Sequence, residues 1–200
     1  MASGAIGVSS GLAYPAGIFA PAAEVAALAE QAGRAGGLYA THIRNESEGL
    51  LQSMEEAAAI GRAGGVAVVM SHHKVTGRKN WGGTKVSLRR LEQMAEGQPI
   101  HFDVYPYASS ATALLPDKIA GAEKVLIVAS DPHPLTSGWY LSEIAAEWGL
   151  SERAAAEKLL PAQAIYFAMH EDDVRRVVAH PKSMIGSDGI PTLDGKPHPR

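Results

Sequence analysis

Histidine and carboxylate side chains follow several apolar runs in this sequence. The run "LYATH" ends at His42, and "VAVVM" leads through one serine into His72. The run "HFDVY" carries Asp103 and Tyr105, and "SMIGSDG" carries Asp188. Imidazole and carboxylate groups that converge at one edge of a sheet are the ligands that a divalent metal such as zinc takes. The pattern therefore indicates a candidate metal site.

Each of these residues also has a structural interpretation. A single histidine is more often a surface or hydrogen-bonded residue than a ligand, and Asp188 in "GSDG" fits an Asx turn equally well. His73 is expected to face away from the site, because successive residues of a strand alternate in direction. Three further histidines in helical or polar segments are interpreted as structural: His101, His170 and His180.

Other kinds of catalytic site have less support in the sequence. The chain has no cysteine, which excludes a cysteine nucleophile, thiolate ligands and disulfides. "GVSSG" is not the G-x-S-x-G elbow of a serine hydrolase. No P-loop or dinucleotide motif occurs, and "GRAGG" falls at a predicted helix end, where glycine is a stop signal.

Short apolar runs alternate with segments of helical period in the first half of the chain. The runs "GAIGVS", "LYATH", "VAVVM" and "PIHFDVY" predict strands, and "AAEVAALAEQAGRAG", "ESEGLLQSMEEAAAIGRAGG" and "VSLRRLEQMAEG" predict the helices between them. Helices between successive strands imply a parallel sheet, in which ligands bind at the carboxyl ends of the strands. An α/β barrel and a doubly wound sheet both satisfy this pattern.

The pattern loosens after the fourth strand. "EKVLIVAS" predicts a strand, whereas "WYLSEIAAEWG", "SERAAAEKLL" and "EDDVRRVVAH" predict helices. We expect a helix-rich insertion over about 108–181 within one domain spanning 1–200, followed by a final strand at "KSMIGSDG".

Composition and charge describe an ordinary globular protein. The chain has 200 residues, 46% of them hydrophobic and 20% charged, and a formal net charge of -3. No stripe of lysine and arginine suggests a nucleic-acid partner. No apolar run is long enough for a membrane span, and the first residues do not fit a signal peptide. A cytoplasmic protein without membrane or nucleic-acid partners is the expectation.

Several longer motifs resemble one family. They are "GLAYPAG", "YATHIRNESEGLLQSMEEAAAIGR", "MSHHKVTGRKNWG", "FDVYPY", "SDPHP" and "MIGSDGIP" with the closing "HPR". Together they resemble the N-acyl-D-amino-acid deacylases, or D-aminoacylases, of the amidohydrolase superfamily. The resemblance runs through nearly the whole chain, and "SHHK" with "DVYPY" favours the deacylases over dihydroorotases or hydantoinases.

The resemblance implies a zinc-dependent TIM-like barrel that hydrolyses the amide of an N-acyl-D-amino acid to a carboxylate and a D-amino acid. His42 and His72 would match the metal-binding histidines of the fifth and sixth strands. Asp188 would match the aspartate that takes a proton from the metal-activated water and passes it to the leaving amine. The substrate-contacting residues would be Tyr14, Lys74, Tyr105 and Arg200.

The chain also departs from the family's pattern. The family has a His-x-His pair on its first strand and a cysteine ligand ahead of "GLAYPAG", and this chain has neither. The resemblance therefore implies a partial barrel, roughly strands 4 or 5 to 8, which lacks the N-terminal strands and the C-terminal end and associates with the missing barrel half. The alternative is a non-catalytic fragment or half-domain.

Overall fold

Strands and helices alternate along the first half of the chain. In the computed structural model, which describes residues 2–189, four strands are separated by three helices. The strands are β1 (Gly7–Gly11), β2 (Leu38–His42), β3 (Ala67–Met70) and β4 (Ile100–Val104). The helices are α1 (Ala22–Arg34), α2 (Leu50–Gly64) and α3 (Thr84–Ala95).

These four strands form a parallel sheet with a fifth strand from the end of the described chain. Strand β8 (Ser183–Ile185) pairs with β4, so the order in the sheet is β1-β2-β3-β4-β8. The helix before it, α6 (Glu171–Val178), contributes Val177 to the core of the same unit. The predicted α/β fold with a parallel sheet is confirmed.

Helices α1 and α2 pack closely because small residues stand where they meet. A Cβ added to Gly33 would lie 2.2 Å from the carbonyl oxygen of Gly64, and one added to Gly64 would lie 2.8 Å from the Cβ of Ala29. Gly65 then ends α2 in the left-handed conformation, with φ of 63°. This conformation favours glycine, which explains the predicted stop at "GG".

The chain divides into two compact units. The first comprises residues 2–75, 82–106 and 172–188, which include the parallel sheet. The second comprises residues 76–81, 107–171 and Gly189 of the described chain. It contains strands β5 (Ser110–Ala113), β6 (Val125–Ser130) and β7 (Ala162–Tyr166), which form an antiparallel sheet in the order β5-β7-β6, and helices α4 (Leu141–Trp148) and α5 (Glu152–Leu159).

The second unit differs from the helix-rich insertion expected over about 108–181. Two of its three strands, β5 and β7, are absent from the prediction, and α6 groups with the first unit. Strand β5 reads "SATA", in which Thr112 is the one residue of a type enriched in strands. The domain boundaries stay a prediction. No helix among residues 2–189 is long and apolar enough to cross a membrane.

Candidate metal centre

The parallel sheet brings the predicted site residues to one edge. His42 is the last residue of β2 and pairs with Gly11 at the end of β1. Thr41 pairs with Met70, the last residue of β3, and Met70 pairs with Phe102 of β4. Because the strands are parallel and nearly in register, the residues that follow them lie at the same edge of the sheet.

Four predicted residues form a row along this edge. The ring centroids of Tyr14 and His42 are 4.8 Å apart, and those of His42 and His72 are 4.4 Å apart. The ring of His72 lies 6.2 Å from that of Tyr105. The order of the rings follows the order of β1 to β4, so each strand and its loop contribute one residue.

The backbone of His72 is held in an unusual conformation. Its φ is 42°, in the left-handed region, where a residue other than glycine costs about 1–3 kcal/mol. The N–H of His72 donates to Oδ1 of Asp103 at 2.7 Å, and the N–H of His73 donates to the carbonyl oxygen of Asp103 at 2.7 Å. Strand β4 therefore fixes the turn that presents His72.

Lys74 lies within the same group of side chains. Its Nζ donates to the carbonyl oxygen of His72 at 2.9 Å and lies 2.7 Å from Nδ1 of that ring. The ammonium also stands 5.2 Å from the ring centroid of Tyr105, which allows a cation–π contact. The side chain is only 7% exposed, so Lys74 is a buried cation beside His72.

A carboxylate that is not among the predicted site residues, Glu46, completes the group. Oε1 of Glu46 accepts from Lys74 Nζ at 2.6 Å and lies 3.0 Å from His72 Nδ1. Oε2 of Glu46 lies 3.7 Å from His42 Nε2. The sequence predicts a helix that starts at "ESEG", but α2 begins at Leu50, so Glu46 stands in the loop after β2. An acid four residues beyond a strand-end histidine was the available signal.

The charges around Glu46 compensate for its burial. Burial alone would raise the pKa of Glu46, but the Lys74 ammonium and the hydrogen bond with His72 hold this pKa well below its ordinary value. Glu46 is thus a carboxylate at neutral pH. It supplies the negative charge that the lysine and a divalent metal both require.

His73 has a supporting role on the other side of the strand end. Its Nε2 lies 2.8 Å from Ser87 Oγ of α3, and its ring lies edge-on to Phe102. Burial, and then the charge of Lys74, lowers the pKa of His73 to about 4. His73 is therefore a neutral, buried histidine.

The donor set fits a zinc ion. His42, Glu46 and His72 each offer one ligand atom, and these atoms lie within 4.8 Å of one another. Two imidazoles and one carboxylate are a ligand combination found in catalytic zinc sites, which keep a further position for water or substrate.

Two predicted residues are not part of this group. Asp188 lies three residues beyond β8 with φ of 46°, and it is outside the set of close ligand atoms. Its conformation agrees with the turn interpretation as well as with a catalytic role. Arg200 lies outside the described residues.

The loop that carries Tyr14 is held by an arginine. Nη1 and Nη2 of Arg44 donate to the carbonyl oxygens of Ile18 at 2.5 Å and Ala20 at 2.9 Å. The same guanidinium pairs with Glu56 of α2, with Nε to Oε2 at 3.0 Å and Nη2 to Oε1 at 2.8 Å. Arg44 thus joins the loop after β1, which carries Tyr14, to α2.

Comparison with known proteins gives a consistent set of relatives. No family model matches the chain. The chain is 44% identical to an N-acyl-D-glutamate deacylase of Alcaligenes xylosoxydans xylosoxydans over 199 residues, which is 99% of this chain and 41% of the relative. It is 43% identical to a D-aminoacylase of the same organism, over 100% of this chain and 41% of the relative. The chain thus spans about two fifths of the length of these relatives.

Solved structures agree with the sequence relatives. An N-acyl-D-glutamate deacylase from Bordetella bronchiseptica, complexed with zinc and a phosphonate inhibitor that mimics the tetrahedral intermediate, superposes with a TM-score of 0.92 at 46% identity. It is matched over 98% of this chain and 41% of that one. A D-aminoacylase that defines a subset of amidohydrolases has a TM-score of 0.93 at 44% identity, over 99% of this chain and 42% of that one. Over its whole length, the chain therefore corresponds in sequence and fold to a segment of the N-acyl-D-amino-acid deacylases.

Proposed function

We propose that this chain provides part of the active site of a zinc-dependent enzyme that hydrolyses the amide bond of N-acyl-D-amino acids. The products are a carboxylate and a D-amino acid. The observation that carries the proposal is the group formed by His42, Glu46, His72 and Lys74. It lies at the strand ends of a fold that matches an N-acyl-D-glutamate deacylase solved with zinc. A second related structure concerns the binuclear metal centre of a D-aminoacylase.

The residues of this group have separate tasks in such a reaction. A bound zinc ion supplies an activated water near neutral pH and polarises the amide carbonyl. His42 and His72 would hold the metal through imidazole nitrogens, which as uncharged ligands would leave its positive charge in place. Lys74 and Tyr105 face the same edge and would contact the substrate, with Tyr14 on the far side of His42.

Proton transfer is assigned to Asp188 as a proposal. A carboxylate near the reacting water accepts its proton, and the same group returns a proton to the leaving amine. The position of Asp188 after β8, the neighbour of β4 in the sheet, supports this role. Arg200 is proposed from the family resemblance to hold the substrate carboxylate.

The sheet itself supports a partial barrel. We assign β1, β2, β3, β4 and β8 to strands 4 to 8 of a TIM-like barrel, within the predicted range. Among the described residues, β1 and β8 are edge strands, so their free edges are where further strands would pair. Association with such a half stays a prediction, as does the cytoplasmic location.

Metal analysis and stereospecific hydrolysis test the proposed function together. The 200-residue chain and the product of the full reading frame that contains it are assayed for zinc per chain. Both are then assayed with N-acetyl-D-amino acids, including glutamate, aspartate and a neutral residue, and with the L-enantiomers. We expect hydrolysis of the D-series alone in the protein that retains zinc.

Substitutions connect the activity to the site. His72→Ala should remove zinc and turnover, and Asp188→Ala should remove turnover while zinc stays bound. His101→Ala is the matched control, because His101 is exposed on β4. A wild-type protein that holds no zinc and hydrolyses neither enantiomer would limit the resemblance to the fold.

A further inference from the structure

One ring nitrogen of His72 faces two partners at once. His72 Nδ1 lies 2.7 Å from Nζ of Lys74 and 3.0 Å from Oε1 of Glu46. Nζ and Oε1 are themselves 2.6 Å apart. The three atoms form a small triangle, in which the position of one imidazole proton decides which contact is a hydrogen bond.

The protons allow two arrangements. In the first, Lys74 donates its three N–H groups to Glu46 Oε1, to the carbonyl oxygen of His72 and to His72 Nδ1. The neutral ring then carries its proton on Nε2, which has no lone pair for a metal. In the second, the ring proton is on Nδ1 and is donated to Glu46 Oε1. Nε2 then has a lone pair, and one N–H of Lys74 is released from the ring.

We propose that Glu46 is a positioning residue that selects the second arrangement when His72 ligates a metal. The inference rests on the proposed function and deepens it. Conversion between the arrangements takes a proton from Nε2 and places one on Nδ1, with no net change in charge. Glu46 thereby orients the ligand and holds the lysine, while the released N–H of Lys74 points to an anionic or carbonyl group of the substrate.

The two oxygens of Glu46 face different partners, so Oε1 can position His72 while Oε2, 3.7 Å from His42 Nε2, stays the oxygen that faces the donor set. Oε1 accepts from the ammonium of Lys74 and lies 3.0 Å from Nδ1 of His72, within reach of a ring N–H. A carboxylate that accepts from the second nitrogen of a ligand histidine fixes its tautomer and raises its basicity. A short loop after β2 places Glu46 for this task, because His42 and Glu46 belong to the same strand-to-helix connection.

The experiment measures zinc affinity and the tautomer of His72 in the product of the full reading frame. Zinc affinity is measured by competition with a chromophoric chelator. The tautomer is read from long-range ¹H–¹⁵N spectra, in which the His72 signals are assigned by their loss in His72→Gln. The variants are Glu46→Gln and Glu46→Asp, with Glu48→Gln as the matched control, since Glu48 is an exposed acid in the same loop.

We expect zinc-loaded wild-type protein and Glu48→Gln to show His72 protonated at Nδ1 and ligated through Nε2. Glu46→Gln should weaken zinc binding by about 10- to 100-fold, the usual effect of removing such a partner, and should reduce the Nδ1–H signal. Circular dichroism identifies a variant that does not fold. Glu46→Asp keeps the charge but has a shorter side chain, so we expect its zinc affinity to lie between those of the wild type and Glu46→Gln.

Two results would overturn the inference while the proposed function stands. One is wild-type zinc affinity and an unchanged tautomer in both Glu46 variants. The other is ligation of His72 through Nδ1, which would leave no ring N–H for Oε1 of Glu46 to accept. A wild-type protein without zinc and without D-specific hydrolysis would instead refute the proposed function, and the inference with it.

Discussion

The carboxylate of Asp173 holds the start of helix α3 in place. Asp173 belongs to α6 and is buried, and its oxygens accept from the N–H of Gly82 at 2.6 Å and the N–H of Thr84 at 3.3 Å. The hydroxyl of Thr84 also donates to it, as does Nη1 of Arg176 at 2.7 Å. The first N–H groups of a helix have no partner within the helix, so Asp173 caps α3 from another element.

Replacement of Asp173 by asparagine keeps the shape of the side chain and removes its charge. If the amide oxygen takes the place of Oδ1, the amide NH₂ faces the N–H of Gly82, and two donors meet at the present distance of 2.6 Å. An unpaired buried donor costs about 1–3 kcal/mol, and the loss of charge-assisted bonds adds a similar amount. We therefore expect the free energy of unfolding to fall by about 3 kcal/mol near neutral pH.

The effect should depend on pH. Burial alone would raise the pKa of Asp173, but the hydrogen bonds from Thr84 and Gly82 and the charge of Arg176 hold it below its ordinary value. Because the folded-state pKa is below that of the unfolded chain, the stabilisation is present above the ordinary pKa. It is lost as the pH falls through the folded-state pKa. The difference between wild type and Asp173→Asn should narrow in acid.

Urea unfolding followed by circular dichroism, at neutral pH and in acid, measures this difference. Glu55→Gln is the control, because Glu55 forms an exposed ion pair with Arg90 in the same unit and its loss should cost at most about 1 kcal/mol. An Asp173→Asn variant no less stable than this control, or equally destabilised at both pH values, would refute the capping role.

Three further predictions concern packing, ionisation and the Tyr14 loop. Gly61→Ala should lower the free energy of unfolding by about 1–3 kcal/mol, because the added Cβ would lie 2.1 Å from a methyl carbon of Val68 in β3. Gly97→Ala is the control, since its added Cβ would meet open space. An equal loss of stability in the two variants, measured by urea unfolding, would contradict the prediction. Burial raises the pKa of Tyr166 to about 12, above its usual value of 10. The free energy of unfolding of the wild type should therefore fall by roughly 3 kcal/mol as the pH rises from about 10 to 12, and urea unfolding should show no such fall from this group in Tyr166→Phe. Arg44→Lys cannot form the bidentate pair with Glu56, so it should speed protease cleavage within residues 12–20. An unchanged cleavage rate would show that Arg44 does not hold this loop.

Local patterns predicted the parallel sheet because its strands and helices are continuous and strongly periodic. The run "VAVVM" is apolar throughout, as a strand covered on both faces requires, and the helix after β2 ends at a glycine pair. The antiparallel sheet of the second unit gives weaker signals. Strand β7 begins directly after Pro161 and is paired on both sides by distant segments, so long-range contacts decide its conformation.

The candidate site shows the same division between local and long-range information. His42 and His72 follow apolar runs, which makes them visible in the sequence. Glu46 has no such pattern, because its significance depends on Lys74, which reaches it from the next strand-to-helix connection. The strain at His72 is likewise invisible in the sequence, since Asp103 of a third strand stabilises that turn.

The spacing of these residues explains why two fifths of a longer relative retains a coherent group of side chains. The β2–α2 and β3–α3 connections are built alike. Each has a histidine at or just beyond the strand end and a charged residue within the next four positions: Glu46 after His42, and Lys74 after His72. Glu46, from the connection after β2, contacts His72, from the connection after β3, so the site joins the two connections. It follows that a change at Glu46 disturbs both connections, whereas a change at the exposed Glu48 disturbs neither. Comparison of these two positions therefore separates the chemistry of the site from the stability of the loop that carries it.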